Sequence, residues 1–186
     1  ILSASRVFLF GARDIWFVVG IPIFFYDKLS WSFTEVGSFM ASWIIFYGII
    51  QSLAPKLLKI FYGNNFSENE QAFIWAIKLL LIIACLGILS YTYDYNGYLI
   101  CMGLFLFGFI FAINSSIHSY LILALAKKND VTLDVGFYYM ANAMGRLLGC
   151  IISGFSYQIA GLIGCFVFAG IFLFFCSIFS FYLKSY

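Results

Sequence analysis

Long apolar runs separated by short polar stretches dominate the pattern of this sequence. The hydrocarbon core of a bilayer is about 30 Å thick and a helix rises about 1.5 Å per residue, so a spanning helix needs about 20 mainly apolar residues. Six runs meet this requirement, at about residues 7–26, 34–54, 72–91, 98–126, 135–159 and 162–183. The pattern therefore predicts an all-α, integral membrane six-helix bundle that forms a single transmembrane domain.

The residues between these runs indicate how each helix begins or ends. Ser32 or Thr34 can cap the second helix, and Pro55 is expected to end it because proline breaks a helix interior. Ala160 and Gly161 are barely a loop, which predicts that the last two helices form a close hairpin. The remaining breaks are the polar stretches 27–30, 62–70, 94–97 and 127–134.

The composition supports a membrane protein. The 186 residues are 64% hydrophobic and only 10% charged, with 24 phenylalanines, and the mean hydropathy is +1.02. A soluble domain carries about 25% charged residues, so this chain lacks the polar surface that water requires and its partner is the lipid bilayer. A net charge of +2 is too small to indicate nucleic acid as a partner. Because the chain opens with Ile1 and no signal-peptide pattern precedes the first run, we interpret it as a fragment of a longer chain.

The basic residues predict the orientation of the bundle. If the chain starts in the cytoplasm, only Lys28 lies on the outer side, and the inner side holds Arg6, Lys56, Lys59, Lys127, Lys128 and Lys184. Cytoplasmic loops carry the excess of Lys and Arg, so we expect a multi-pass protein of the cell (inner) membrane with both termini of this segment in the cytoplasm. The opposite ends carry an aromatic belt of Tyr26, Trp31, Tyr91, Tyr93, Tyr95 and Tyr98.

Charged side chains within the predicted helices mark a candidate transport pathway, because charges in hydrocarbon are costly unless they are paired or hydrated. Four stand out: Arg13, Asp14, Lys78 and Arg146. Arg146 lies about eleven residues into the fifth helix, near the bilayer midplane, and cannot easily reach either surface. We expect it to hold an anionic substrate; the alternative is a structural bridge to a carboxylate such as that of Asp14.

The fifth helix carries a polar face beside a packing seam. Tyr138, Asn142 and Arg146 are spaced four apart and therefore share one face. The stripe beside them is formed by Ala141, Gly145, Gly149 and Ser153. Small residues at this spacing allow a second helix to approach closely.

The other intramembrane polar residues have two interpretations each. Arg13 and Asp14 could contact substrate or form an interhelical salt bridge. Lys78 could line the cavity, or its long side chain could reach the interface. Asn114 and His118 share a face of the fourth helix. His118 could relay protons, as could Asp14, or it could be a hydrogen-bonded packing residue.

Nothing in the sequence indicates an enzyme. There is one histidine, which excludes a His-rich metal site, and the G-x-S-x-G, H-E-x-x-H and P-loop motifs do not occur. The five cysteines fall inside apolar runs without a C-x-x-C pair, as expected of small buried hydrophobic residues. We expect no catalytic residues, no metal and no cofactor.

Two stretches are similar to the C-terminal half of the ArsJ-type organoarsenical efflux transporters of the major facilitator superfamily. They are RVFLFGARDIWFVVGIP at residues 6–22 and GFYYMANAMGRLLG at residues 136–149. Residues 31–55 resemble that family as well. One departure is that the loop after the second helix lacks the Gly-Asp-Arg-Gly-Arg type motif that many major facilitators carry.

The resemblance implies that the six helices are helices seven to twelve of a twelve-helix carrier, built as two three-helix inverted repeats, whose N-terminal half is missing here. It implies efflux of an organoarsenical such as 1-arseno-3-phosphoglycerate. The residues themselves indicate an anion beside Arg13, Lys78 and Arg146. Together with the resemblance, this implies a secondary carrier of a small organic anion that works by alternating access. The candidate substrate-binding residues are Arg146, Arg13, Asn142, Tyr138, Asn114 and Lys78, and the proton-coupling candidates are Asp14 and His118. The alternatives are a carrier for another anion, such as a sugar phosphate or organic acid, and a complete six-helix membrane channel or scaffold.

Overall fold

Every apolar run becomes helical in the computed structural model, which describes residues 1–63, 67–92, 96–126 and 131–183. Over those residues five helices are long and apolar enough to cross a membrane, and the last of them, Val131–Leu183, reverses at Ala160 and Gly161. We divide it into α5 (131–159) and α6 (162–183). The others are α1 (Leu2–Leu29), α2 (Phe33–Tyr62), α3 (Glu68–Thr92) and α4 (Gly97–Leu125). The prediction of an all-α membrane bundle is confirmed.

Helix α1 begins five residues before its predicted start because its polar first turn is buried against α6. The Ser5 hydroxyl lies 2.8 Å from the Ser180 hydroxyl and 3.3 Å from the Cys176 carbonyl oxygen. Midway, α1 contains one π-helical turn, Trp16–Gly20, before the regular helix resumes. Polar residues near the start of α1 therefore belong to the bundle and not to a loop.

Helix α2 runs through Pro55 and ends at Tyr62, so the prediction that Pro55 ends it was wrong. Proline removes one backbone hydrogen bond, but neighbouring side chains and local adjustment compensate for this in membrane helices. Of the two predicted caps, Ser32 is the one that the structure shows, and the helix begins at Phe33. The Ser32 hydroxyl accepts from the Glu35 amide at 3.3 Å, and the Glu35 carboxylate accepts from the Ser32 amide at 2.7 Å, which completes a capping box.

The predicted hairpin between the last two helices is confirmed. Ala160 and Gly161 leave helical geometry, and Gly161 has a φ of 59° that glycine adopts without strain. Immediately after the reversal, a side chain at Gly164 would collide with the carbonyl oxygen of Ser156. Helices α5 and α6 are therefore in backbone contact next to the turn.

The apolar core lies where α1, α3, α4 and α6 meet, and α2 is held at its edge. Trp16 and Phe107 are fully buried and meet edge to face at a centroid distance of 5.2 Å. Trp43 of α2 packs on Gly108 and donates its indole N–H to the Leu104 carbonyl oxygen at 2.8 Å. The outward faces carry exposed apolar residues, as expected of helices that meet lipid.

The positive-inside prediction depends in part on residues that the structure places differently. Arg6 is 5% exposed within α1 and is not a loop charge, and Lys56 and Lys59 extend the end of α2. Lys127, Lys128, Lys184, Tyr93 and Tyr95 lie outside the described residues. The cytoplasmic location of both termini stays a prediction.

Candidate functional site

The small residues of α5 bring its backbone into contact with that of α1. A side chain at Gly145 would collide with the carbonyl oxygen of Val7. A Cβ atom at Gly149 would lie 2.7 Å from the Gly11 carbonyl oxygen and 2.8 Å from the Asp14 Cβ. The close approach predicted from the small-residue stripe is confirmed, and the approaching helix is α1.

The same stripe ends at a contact with the π-helical turn of α1. The fully buried Ser153 hydroxyl accepts hydrogen bonds from the backbone amides of Val19 and Gly20, both at 3.3 Å. A π turn changes the local hydrogen-bonding register of a helix. Ser153 provides an acceptor for amides at this turn and fixes where α1 lies along α5.

The seam between α1 and α5, where Gly145 and Gly149 pack on α1, places one carboxylate between two guanidinium groups. Asp14 is 1% exposed; its Oδ1 accepts from Arg13 Nε at 2.6 Å and its Oδ2 accepts from Arg146 Nε at 3.2 Å. The Arg13 side chain is 11% exposed, whereas that of Arg146 is 59% exposed. The bridge between Arg146 and Asp14, considered as the structural alternative, is present. One carboxylate nevertheless pairs with two guanidinium groups, and much of the Arg146 side chain remains exposed.

A third cation, Arg6, which the pattern of basic residues places on the cytoplasmic side, lies inside the bundle. Arg6 donates from Nη1 to the carbonyl oxygen and to the hydroxyl of Ser115 on α4, both at 3.2 Å. Its Cζ lies 3.9 Å from the ring centroid of Phe10 and 4.8 Å from that of Tyr138. Among the described residues, no carboxylate forms an ion pair with Arg6.

A spacing rule could have identified Arg6. Residues 6 and 13 are seven apart, which is about two helical turns, so they share a face once the helix is known to begin before residue 6. Both guanidinium groups lie near the same ring, because Arg13 Cζ is 5.1 Å from the Phe10 centroid. The predicted helix start at residue 7 hid this relation.

One predicted site residue contacts Arg6, and two others lie on the segment of α4 that Arg6 contacts. Tyr138 of α5 is 1% exposed and stacks near its guanidinium, and Asn114 and His118 of α4 are fully buried on either side of Ser115 in sequence. In the part of the chain that the structure describes, Arg6 Nε and the polar side-chain atoms of Asn114 and His118 have no hydrogen-bond partner. Polar groups without partners therefore lie on the same segment of α4 as Ser115, which binds this buried cation.

The two remaining predicted residues lie in different places. Asn142 is half-buried on α5, one turn from Tyr138 and one turn from Arg146, and so belongs to the same face. Lys78 is held elsewhere: its Nζ donates to the Tyr62 hydroxyl at 3.3 Å and lies 3.9 Å from the Trp75 ring centroid. The structure does not bring Lys78 to the arginines.

Comparison with known protein families agrees with this architecture. The family model of the Major Facilitator Superfamily matches residues 2–185, nearly the whole chain. A comparison with curated proteins found no match. Members of the matched family are secondary membrane transporters and not enzymes. With a helical membrane bundle and a family match that covers almost every residue, this chain belongs to the Major Facilitator Superfamily.

Proposed function

We propose that this chain forms one half of an alternating-access carrier for a small organic anion, with Arg13 and Arg146 at the substrate site. The observation that carries the proposal is the unequal charge at Asp14. A single buried carboxylate is shared by two guanidinium groups, and the Arg146 side chain is 59% exposed. A substrate would lie between this half and an N-terminal half of the same carrier.

An anion suits this site for reasons of geometry as well as charge. A guanidinium group donates hydrogen bonds in a planar fork that matches the oxygens of carboxylates, phosphates and arsenates. Arg146 uses Nε toward Asp14, and its side chain is 59% exposed, so its terminal nitrogens are the donors that a substrate would meet. Asn142 lies one turn away on the same helix and would add a hydrogen bond.

Substrate binding and proton movement can be linked at Asp14. An anion that binds Arg146 competes with the Asp14 carboxylate for the same guanidinium group. When that contact weakens, Asp14 keeps only one of its two positive partners, Arg13. Asp14 is therefore the stronger candidate for proton coupling. His118 is fully buried beside the Arg6 region and is the second candidate.

The substrate class follows from the resemblance of residues 6–22 and 136–149 to organoarsenical efflux transporters. That resemblance supports export of a compound such as 1-arseno-3-phosphoglycerate. The alternative within transport is another anion, such as a sugar phosphate or organic acid. Growth on arsenate with and without the full-length gene distinguishes these two, because only the first confers resistance. Membership of a transporter family favours a carrier over a six-helix channel or scaffold.

The proposal is tested by replacing Arg146 in the full-length carrier. Arg146→Ala should abolish export while the protein still folds, because this side chain is largely exposed and contributes little to the core. Arg146→Lys keeps the charge but loses the planar fork, so partial transport is expected. Lys28→Gln, which removes an exposed cation at the far end of α1, is the matched control. Undiminished transport by well-expressed Arg146→Ala would refute the substrate role.

A further inference from the structure

A crevice of about 370 Å³ opens between the end of α1 and the start of α2. Ligand pockets in proteins have volumes of roughly 300–1,000 Å³, so this one can hold a small group or part of a larger molecule. Seven residues line it: Pro22, Ile23, Tyr26, Asp27, Phe33, Val36 and Gly37. None of them belongs to the proposed anion site, so the crevice has no role in the function described above.

The crevice is held open by the packing of the turn between the two helices. Ser30 ends α1 in the left-handed conformation, with a φ of 56°, and the Trp31 amide donates to the Phe25 carbonyl oxygen at 3.1 Å. The Phe25 ring packs on those of Trp31 and Phe39, at centroid distances of 4.3 and 4.8 Å. Since none of these residues lines the crevice, it stays open while they hold α1 and α2 together.

The inner part of the crevice, away from the turn, is apolar and has free space. Pro22 lies five residues before Asp27 on α1, which is about 7.5 Å deeper along the helix axis. On α2, Gly37 lies one turn deeper than Phe33, and a Cβ atom added at Gly37 would meet nothing within 4 Å. Apolar surface is more stable in contact with an apolar group than with water. This part of the crevice therefore suits a hydrocarbon chain.

The mouth of the crevice, next to the turn, carries a negative charge and two exposed aromatic rings. Asp27 is exposed and forms no ion pair within the described part of the chain. The Tyr26 and Phe33 side chains are 59% and 89% exposed. A carboxylate accepts charge-assisted hydrogen bonds from an ammonium group, and aromatic faces attract the same cation. The neighbouring cation, Lys28, is not part of the lining.

We infer that this crevice is a lipid site, which binds an aminophospholipid such as phosphatidylethanolamine. The ammonium group meets the Asp27 carboxylate beside the rings of Tyr26 and Phe33, and the first carbons of one acyl chain occupy the apolar part. The turn joins two membrane spans, so its tyrosine lies at the level of the lipid headgroups, where such rings are enriched. An anionic lipid would meet a like charge at Asp27, and a cation without a chain would leave the apolar part unused.

Lipid binding to the purified full-length carrier tests the inference, with native mass spectrometry as the measurement. The probes are phosphatidylethanolamine and phosphatidylglycerol with identical acyl chains. Wild-type protein should bind the first about five-fold more tightly, which corresponds to about 1 kcal/mol, the upper end for an exposed ion pair. Asp27→Asn should reduce this preference to two-fold or less. Glu68→Gln, which changes an acid outside the crevice, should retain it.

Gly37→Leu tests the apolar part separately. The added side chain fills the space that the acyl chain needs, and it meets no protein atom at its Cβ, so the carrier should still fold. Binding of phosphatidylethanolamine should weaken at least five-fold. Gly48→Leu, at an equally open glycine of the same helix, is the matched control and should bind as wild type. If Gly37→Leu binds this lipid as wild type does, or Asp27→Asn keeps the five-fold preference, the inference is overturned.

Two other occupants of the crevice give different results. A free organic cation needs no chain, so tetramethylammonium would displace phosphatidylethanolamine as effectively as decyltrimethylammonium. A helix of the N-terminal half would cover the crevice, so wild type would show no headgroup preference and Gly37→Leu, but not Gly48→Leu, would lower the thermal stability of the carrier. Either result overturns the lipid site. Displacement by decyltrimethylammonium at concentrations at least ten-fold below those of tetramethylammonium supports it.

Discussion

Two regions of this bundle each hold a basic side chain inside the membrane, and they treat it differently. At the α1–α5 seam, Arg146 is 59% exposed and reaches one oxygen of a carboxylate that Arg13 also uses. On α3, Lys78 bends onto the Trp75 ring and the Tyr62 hydroxyl. The seam leaves positive charge available, whereas the α3 region satisfies its charge with neighbours from α2 and α3.

The difference shows that an intramembrane cation is not by itself an available positive charge. Lys78 has a long flexible side chain, so it can move its charge toward an amphipathic aromatic environment. Arg146 lies on a helix that is pressed against α1 by glycines, and its nearest acid is already engaged. Arg146 and Lys78 differ in the number of acidic and basic groups that lie close to each cation, and in the exposed fraction of the side chain.

The largest expected effect is at Asp14. Asp14→Asn leaves Arg13 and Arg146 without their shared negative partner, and removal of one member of a buried ion pair costs about 3–5 kcal/mol. We expect a loss of that size in the free energy of unfolding, measured by denaturation in detergent micelles. Asp27→Asn, at an exposed acid on the same helix, is the control. Equal stability of the two variants would show that the Asp14 pairs are not stabilising.

The next effect concerns the glycines that bring α5, which carries Arg146, into backbone contact with α1. Gly145→Ala places a methyl group against the Val7 carbonyl oxygen, and overpacking of this kind costs about 1–3 kcal/mol. Gly154→Ala on the same helix meets nothing within 4 Å and should be neutral. The measurement is thermal unfolding of both proteins in one detergent. If both variants unfold at the same temperature, the backbone contact at Gly145 is not what holds α5, and with it Arg146, against α1.

A smaller effect is expected at the end of the same seam. Ser153→Ala removes the acceptor for the Val19 and Gly20 amides, and a lost hydrogen bond of this type costs about 1 kcal/mol. Hydrogen exchange at the two amides should become faster, since they lose this partner. Ser38→Ala, at an exposed serine of α2, should not change exchange there. Unchanged protection at Val19 and Gly20 would mean that the π turn does not depend on α5.

The smallest effect should occur at Lys78. Lys78→Met removes the cation from the Trp75 ring but keeps most of the apolar side chain, so a loss of about 0.5–1 kcal/mol in unfolding free energy is expected. A double-mutant cycle with Tyr62→Phe measures the coupling directly. A loss as large as that of Asp14→Asn would contradict the contrast between the two regions and point to a buried partner for Lys78.

The sequence predicts the helices well and their ends less well. Apolar length alone identifies the spans, since a continuous apolar run of about 20 residues has the length of a spanning helix, which satisfies its own backbone groups in lipid. The errors occur where a polar residue or a proline suggests a loop in water, but the bundle keeps the segment helical or supplies the hydrogen-bond partner. Ser5 bonds to Ser180, Arg6 bonds to Ser115, and α2 continues through Pro55.

The site is predictable as a set of residues but not as a set of pairs. Arg146 and Asp14 both stand out as intramembrane charges, yet they are 132 positions apart. The stripe from Ala141 to Ser153 indicates that some helix approaches α5. Only the order of helices in the bundle decides that this helix is α1. Arg6 was missed as a site residue because the first helix was predicted to begin at residue 7. In the structure it begins at Leu2, and buried hydrogen bonds such as Ser5–Ser180 hold its first turn in the bundle.

The tight reversal between α5 and α6 has a mechanical consequence. With only Ala160 and Gly161 outside helical geometry, there is no slack that would allow one arm to tilt while the other stays still. If the proposed substrate displaces α5, this tight turn passes the displacement to α6, whose Ser180 forms a hydrogen bond with Ser5 near the start of α1. Lengthening this connection by a few flexible residues should uncouple the two arms, leaving the carrier able to bind its cargo but slow to turn it over.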